Sequence, residues 1–224
     1  MCGVIGVSLT KVSGGDIKLV REVFKQSMIR GKHATGVSWV RDDKVHTDKE
    51  GIPVDHFFRT RNISDYVNED GGLYMIGHIR YSTSDIAYNQ PFSNGKKAIS
   101  HNGVLDQRHP KEWKYKCETA NDSEMLLRSF EAGKVPLQDF MNTSMAVTSI
   151  NSNKRLHCFR NHERPLWYTR VSNGVIFTST KDIAKRSGLN NSQKCDMFVE
   201  YNFENGMLRG DDVDYDKSIG DLQT

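Results

Sequence analysis

The 224-residue chain is poor in cysteine and proline, with four and five of each. Cys2, Cys117, Cys158 and Cys195 are scattered and form no CxxC pair. That argues against a zinc knuckle or a disulfide framework and leaves reduced thiols as the default. No apolar run approaches the ~20 residues of a membrane span. The early run GVIGVSL is shorter than most secretory cores and has no basic residue before it. A cytoplasmic protein with no membrane contact is therefore expected. No dense Lys/Arg block is present either: 31 basic and 28 acidic residues leave +3, which gives a nucleic-acid partner no support. No phosphate-cradling Gly-rich loop and no metal-ligand spacing occur, so neither a cofactor nor a metal is expected. No repeat or low-complexity linker divides the chain. Residues 1–224 read as one domain, with 210–224 a polar, acidic tail.

What is present is patterned. Residues 4–9 read as a strand. Asp16 is placed to cap a helix carrying Ile17, Val20, Phe24 and Met28 on one face and ending near Arg30-Gly31. Residues 34–40 and 44–47 read as strands joined at Asp42-Asp43, and 53–69 as short helices. Residues 73–82 and 96–105 read as strands, and 122–133 as a helix with acidic residues in its first turn. A short helix at PLQDFM, four strand-like runs, a helix at KDIAKRSG and a last strand at DMFVEYNF complete the order. Such an order favours α+β with antiparallel sheets over a βαβ alternation. Cys2, directly behind the initiator methionine, has two readings. It is a small buried residue of the first strand, or a nucleophile that depends on being terminal.

Five segments concentrate polar residues beside apolar strands: MCGVIGV, RGKHATGV (30–37), GHIRYST (77–83), SHNGVL (100–105) and NDSE (121–124). Each alone is weak; in this order they closely resemble the glutaminase domain of class II glutamine amidotransferases, the N-terminal-nucleophile family. GHIRYSTSDIAYNQPF followed by SHNGVL is most similar to the amidophosphoribosyltransferase branch, and FRNHERPLWY (159–168) and VIFTST (175–180) also resemble a later family segment. The resemblance implies a four-layer αββα sandwich of two antiparallel sheets. It implies L-glutamine as substrate, Cys2 as nucleophile, and Asn102 and Gly103 as the oxyanion pair. Arg80 is implied to bind the α-carboxylate of glutamine, Asp122 its α-ammonium, and Thr83 to give a supporting contact. Arg30 and Gly31, in an RGxxxxG motif, support the terminal strand. His33 stands where many relatives carry an acid, and Ser84 differs from the histidine of the glucosamine-6-phosphate synthase branch.

The chemistry explains the residue types. A primary amide is a poor electrophile, and an ordinary thiol is mostly protonated at neutral pH. Removing Met1 frees the α-amine of Cys2, whose reference pKa of ~7.7–8.0 lets it act as base on the same residue. Glutamine then acylates Cys2, ammonia leaves, and water resolves the thioester. Members of the family fuse this domain to one that consumes the ammonia, and the sequence stops just after the glutaminase-like part. A separate ammonia-accepting synthase subunit is the expected partner. Two alternatives stand beside this: an amidase acting on another γ-glutamyl compound, and a catalytically idle glutamine-sensing module. His78 and His101 read as partly buried, hydrogen-bonded structural histidines.

Overall fold

The structure, a computed structural model, describes residues 1–82, 88–162 and 164–213. The apolar run Gly3–Leu9 forms β1, buried at every position. The helix predicted next is Gly14–Gln26 (α1). Asp16 does not cap it; Ser13 does. Ser13 Oγ accepts from the Asp16 N–H at 3.2 Å, and Asp16 Oδ2 accepts from the Ser13 N–H at 2.8 Å. This reciprocal box satisfies amides that a helix start otherwise leaves open. A 3-10 turn, Ser27–Arg30, carries the chain to Gly31.

Ala34–Arg41 (β2) and Lys44–Glu50 (β3) form a hairpin whose turn residues Asp42 and Asp43 both take positive φ. There follow Val54–Phe57 (α2), Leu73–Arg80 (β4), Phe92–Ser93 (β5), Lys97–Val104 (β6), Glu124–Glu131 (α3) and Pro136–Asp139 (α4). The helix expected from residue 122 thus starts two residues later, which leaves Asp122 in the preceding turn. The rest is Ser144–Asn151 (β7), Leu156–Arg160 (β8), Trp167–Val171 (β9), Gly174–Thr178 (β10), Lys181–Arg186 (α5), Gln193–Lys194 (β11), Val199–Glu204 (β12) and Met207–Asp212 (β13). The strand read as last is not last. β13 pairs antiparallel with β12 and takes in residues read as tail, because a turn at Asn205-Gly206 folds it back. Residues 214–224 lie outside the described residues.

Two antiparallel sheets result, ordered β11-β9-β10-β1-β4-β2-β3 and β13-β12-β8-β7-β6-β5. Strand alternation sends side chains to opposite faces. On one sheet Ile5, Val7, Leu9 and Met75 pack under Val20, Val23 and Phe24 of α1 and Ile183 of α5. On the other, Ile99, Val147 and Phe159 pack under Met125, Leu126 and Leu137 of α3 and α4. The inner faces meet through Val4, Ile76 and Phe177 against Ala98, Ile150 and Leu156. The architecture is the four-layer αββα sandwich. No helix among the described residues is long and apolar enough to cross a membrane.

Candidate active site

Cys2 sits one residue before β1, in the middle of its sheet. The strand start is pinned from two sides. The Val4 N–H donates to Ser179 Oγ at 2.7 Å, and that hydroxyl donates back to the Val4 carbonyl at 3.3 Å. Arg30 Nε donates to the Cys2 carbonyl at 3.3 Å. Gly31, the next residue, lies under the end of β4. A Cβ there would come within 2.3 Å of the Arg80 carbonyl oxygen and 2.5 Å of the Tyr81 nitrogen, so only glycine permits the approach. The Arg30-Gly31 pair therefore touches both the Cys2 carbonyl and the strand that carries Arg80. The Cys2 thiol lies 3.8 Å from the Tyr81 carbonyl.

Cys2, His78, Arg80, Gly103 and Asp122 line one cavity of ≈ 590 Å³. The β1–β4 register, Val4 opposite His78, brings residues seventy positions apart to one end of the sheet. Arg80 is 7% exposed, and its Nη1 donates to the Tyr88 carbonyl at 2.8 Å and to Asn89 Oδ1 at 3.0 Å, which orients the fork. Asp122 Oδ2 accepts from the Leu105 and Asp106 N–H groups at 2.6 and 3.2 Å. The carboxylate thereby holds the backbone leaving β6 against the cavity. An always-charged guanidinium and a carboxylate on one cavity suit a zwitterionic amino-acid head.

Asn102 and Gly103 stand just before Val104, the last residue of β6. The Gly103 backbone crosses so close to β7 that a Cβ would lie 1.8 Å from the Ser144 oxygen. Asn102 is 3% exposed, and its Nδ2 has no hydrogen-bond partner. By alternation it shares the inner face of β6 with Ala98 and Ser100, whose Oγ is likewise buried and unpartnered. His78, on the inner face of β4, adds a third such atom, Nε2. A buried donor or acceptor left unpaired costs roughly 1–3 kcal/mol. Three such atoms lie at one end of the layer between the sheets.

Burial also sets the protonation states. It pushes the Cys2 thiol above its ordinary value, outweighing the Tyr81 backbone contact, the terminal amine and the Arg80 and Arg30 charges that act the other way. A free thiolate at Cys2 is thus disfavoured. Burial, joined by the charges of Arg80 and His101, pushes His78 down to about 3, so its ring is neutral. Burial likewise lowers His101.

The histidines expected to be partly buried are fully so, at 1% exposure each, and only His101 is hydrogen-bonded at both ring nitrogens. Ser123 Oγ accepts from Gln90 Nε2 at 2.9 Å and meets His101 Nδ1 at 2.8 Å; Gln90 Oε1 accepts from the His101 N–H at 2.7 Å. Gln90 and Ser123 form this scaffold, and nothing periodic in the sequence announces them. His33 Nδ1 accepts from the Ser82 N–H at 2.7 Å, which ties the turn beyond Arg80 to the RGxxxxG segment. Thr83 and Ser84 lie outside the described residues. Among the described residues no three His, Cys, Asp or Glu side chains gather as metal ligands.

No protein-family model matches the chain, and no curated protein matches it in sequence. Solved structures do resemble it in fold. One is a glutamine phosphoribosylpyrophosphate amidotransferase from B. subtilis complexed with ADP and GMP, with a TM-score of 0.75 at 16% identity. A second, described as the allosteric regulatory enzyme of purine biosynthesis, gives 0.70, also at 16% identity. The likeness covers 94% of this chain and 49% of each of those, so the chain spans about half their length. A glutamine aminotransferase class-II domain protein from Silicibacter pomeroyi gives 0.59 at 10% identity, over 95% of this chain and 99% of that one. The fold is that of class II glutamine amidotransferase domains.

Proposed function

We propose that the chain hydrolyses the side-chain amide of L-glutamine through a γ-glutamyl thioester on Cys2, once Met1 has been removed. The observation that carries this reading is the convergence on one cavity of Cys2, Arg80, Gly103 and Asp122, with the unpartnered amide of Asn102 buried beside them. Arg80 takes the α-carboxylate of the substrate and Asp122 its α-ammonium. The scissile carbonyl then faces Cys2 at the end of β1. The α-amine of Cys2 accepts the thiol proton, and the thiolate adds to the carbonyl carbon. Asn102 Nδ2 and the Gly103 N–H take the developing oxyanion; the backbone and side-chain dipoles are fixed before the charge appears. The amine then returns the proton to the departing nitrogen, ammonia leaves, and water hydrolyses the thioester.

The raised Cys2 thiol supports the need for a base so close at hand. The ammonia passes to a synthase partner, in keeping with the two larger neighbours, of which this chain spans about half. Intact-mass measurement before and after incubation with a glutamine-mimicking electrophile tests the reading. The expected result is a chain lacking Met1 that gains one adduct, at Cys2. An active protein that keeps Met1 sinks the free-amine mechanism, and a Met1-free chain that takes no label favours a glutamine sensor.

A further inference from the structure

The hydrolysis just described assigns residues to the acyl half of the substrate and none to the amine that departs. That amine has a defined location. The group that protonates it is the Cys2 α-amine, the nitrogen to which Met1 is bonded. The space Met1 vacates therefore adjoins the leaving group.

A second cavity, of ≈ 730 Å³, is lined by Arg164, whose side chain reaches Met1. Val104, Asp106 and Gln107 line both cavities, which therefore adjoin. Arg164 lines the second alone. Its Nη1 approaches the Met1 thioether sulfur at 3.6 Å, its Nε is buried with no hydrogen-bond partner, and among the described residues no carboxylate pairs with it. A thioether is a weak acceptor for a guanidinium. The Arg164 backbone is tied down: its carbonyl accepts from Arg160 Nη1 at 3.5 Å, and Arg160 is anchored in turn by donating to the Cys195 carbonyl at 2.7 Å. The acid of this cavity, Asp106, is already paired with Arg108 at 2.6 Å. Among the described residues the cavity thus presents a cationic fork with no carboxylate partner, whose one side-chain hydrogen-bond contact is Met1, the residue that the proposed reading removes.

Resting on the glutaminase-type reading, we propose that the second cavity receives the amine half of the substrate, with Arg164 binding a carboxylate on it. The substrate class is then γ-glutamyl amides of amino acids, γ-glutamylglycine being the smallest, in addition to glutamine. Met1 reaches from Cys2 to Arg164 through its thioether sulfur, and a glycine whose nitrogen is hydrogen-bonded to the Cys2 α-amine extends its carboxylate over a similar span. The step balances as for glutamine. The Cys2 sulfur–carbon bond forms, the carbon–nitrogen bond breaks, and the thiol proton travels through the α-amine to the departing nitrogen. Water then releases glutamate.

The test uses the Met1-free protein and compares kcat/KM for γ-glutamylglycine and γ-glutamylglycinamide, which differ in the terminal charge. A charge-assisted contact predicts a preference of about tenfold or more for the acid. Arg164→Gln brings the ratio near one, and Arg164→Lys keeps a reduced preference. The ratio is taken within each variant, so a general loss of activity does not mimic the effect. A wild-type ratio near one overturns the proposal, as does a ratio unmoved by Arg164→Gln. Glutamine serves as control. Turnover of glutamine without the preference overturns this inference alone, whereas no turnover of any of the three overturns the glutaminase reading with it.

Discussion

Along a single face of β6, Ala98 and Asn102 stand four residues apart and meet two different interiors. Ala98 lies opposite Ile150 in register and joins Leu156, Phe177 and Ile76 in a dry contact between the sheets. Asn102 lies opposite Ala146, in a neighbourhood that holds three buried polar atoms without partners. Both ends belong to the same strands and the same alternation. The apolar end joins the sheets through dispersion and water exclusion. The polar end works against that join, and the sandwich tolerates it because the rest of the layer is well packed. Strain of this kind collects where a fold binds something.

The comparison is broken most severely at its polar end. Asn102→Ala is expected to lower turnover of glutamine by roughly 10²–10³, with little change in the urea midpoint, since the lost amide had no partner to strand. Steady-state kinetics beside urea titration reads both; a large fall in stability would show the amide to be structural. At the apolar end the balance reverses. Leu156→Ala is expected to cost about 2–5 kcal/mol of stability, whereas Ser100→Ala stays within about 1 kcal/mol of wild type or stabilises. Equal losses in the two variants would erase the distinction drawn here.

A further effect, again at the polar end, is one of pH. His78 is held neutral at about 3 in the folded state against an ordinary value of 6.5. Because the folded pKa is the lower, the unfolded chain takes the proton first. The stability due to the neutral ring is complete above about pH 6.5 and falls as pH drops toward about 3, by about 1.4 kcal/mol per pH unit. Urea midpoints between pH 7 and 4 for wild type and His78→Asn measure the difference. Parallel slopes would mean that His78 takes no part.

Long apolar runs were legible as strands because burial on both faces demands them: GVIGVSL and SMAVTSI sit in the middle of their sheets. The two-residue strands β5 and β11 and the polar β13 were not. They lie at or beside sheet edges, where a neighbour's open hydrogen-bonding groups recruit whatever backbone is at hand. The site divides similarly. Cys2, Arg80, Asn102, Gly103 and Asp122 stand in motifs whose residue types suit amide chemistry, and all but Asn102 line the candidate cavity. Gln90, Ser123 and Arg164 stand within the same segments but were given no role, since a polar residue in a turn has no period to mark what it touches.

By itself, then, the sequence determined the longer strands, the main helices and the two-sheet class, and it singled out the residues proposed here to bind and cleave an amide of an amino acid. Local pattern and side-chain chemistry suffice for that. Tertiary structure alone decided that Arg30 reaches the Cys2 carbonyl, that Gly31 lies against β4, that two cavities share lining residues, and that the Arg164 guanidinium lies against the Met1 sulfur. These depend on strand register and loop placement, which bring together residues that are remote in the chain.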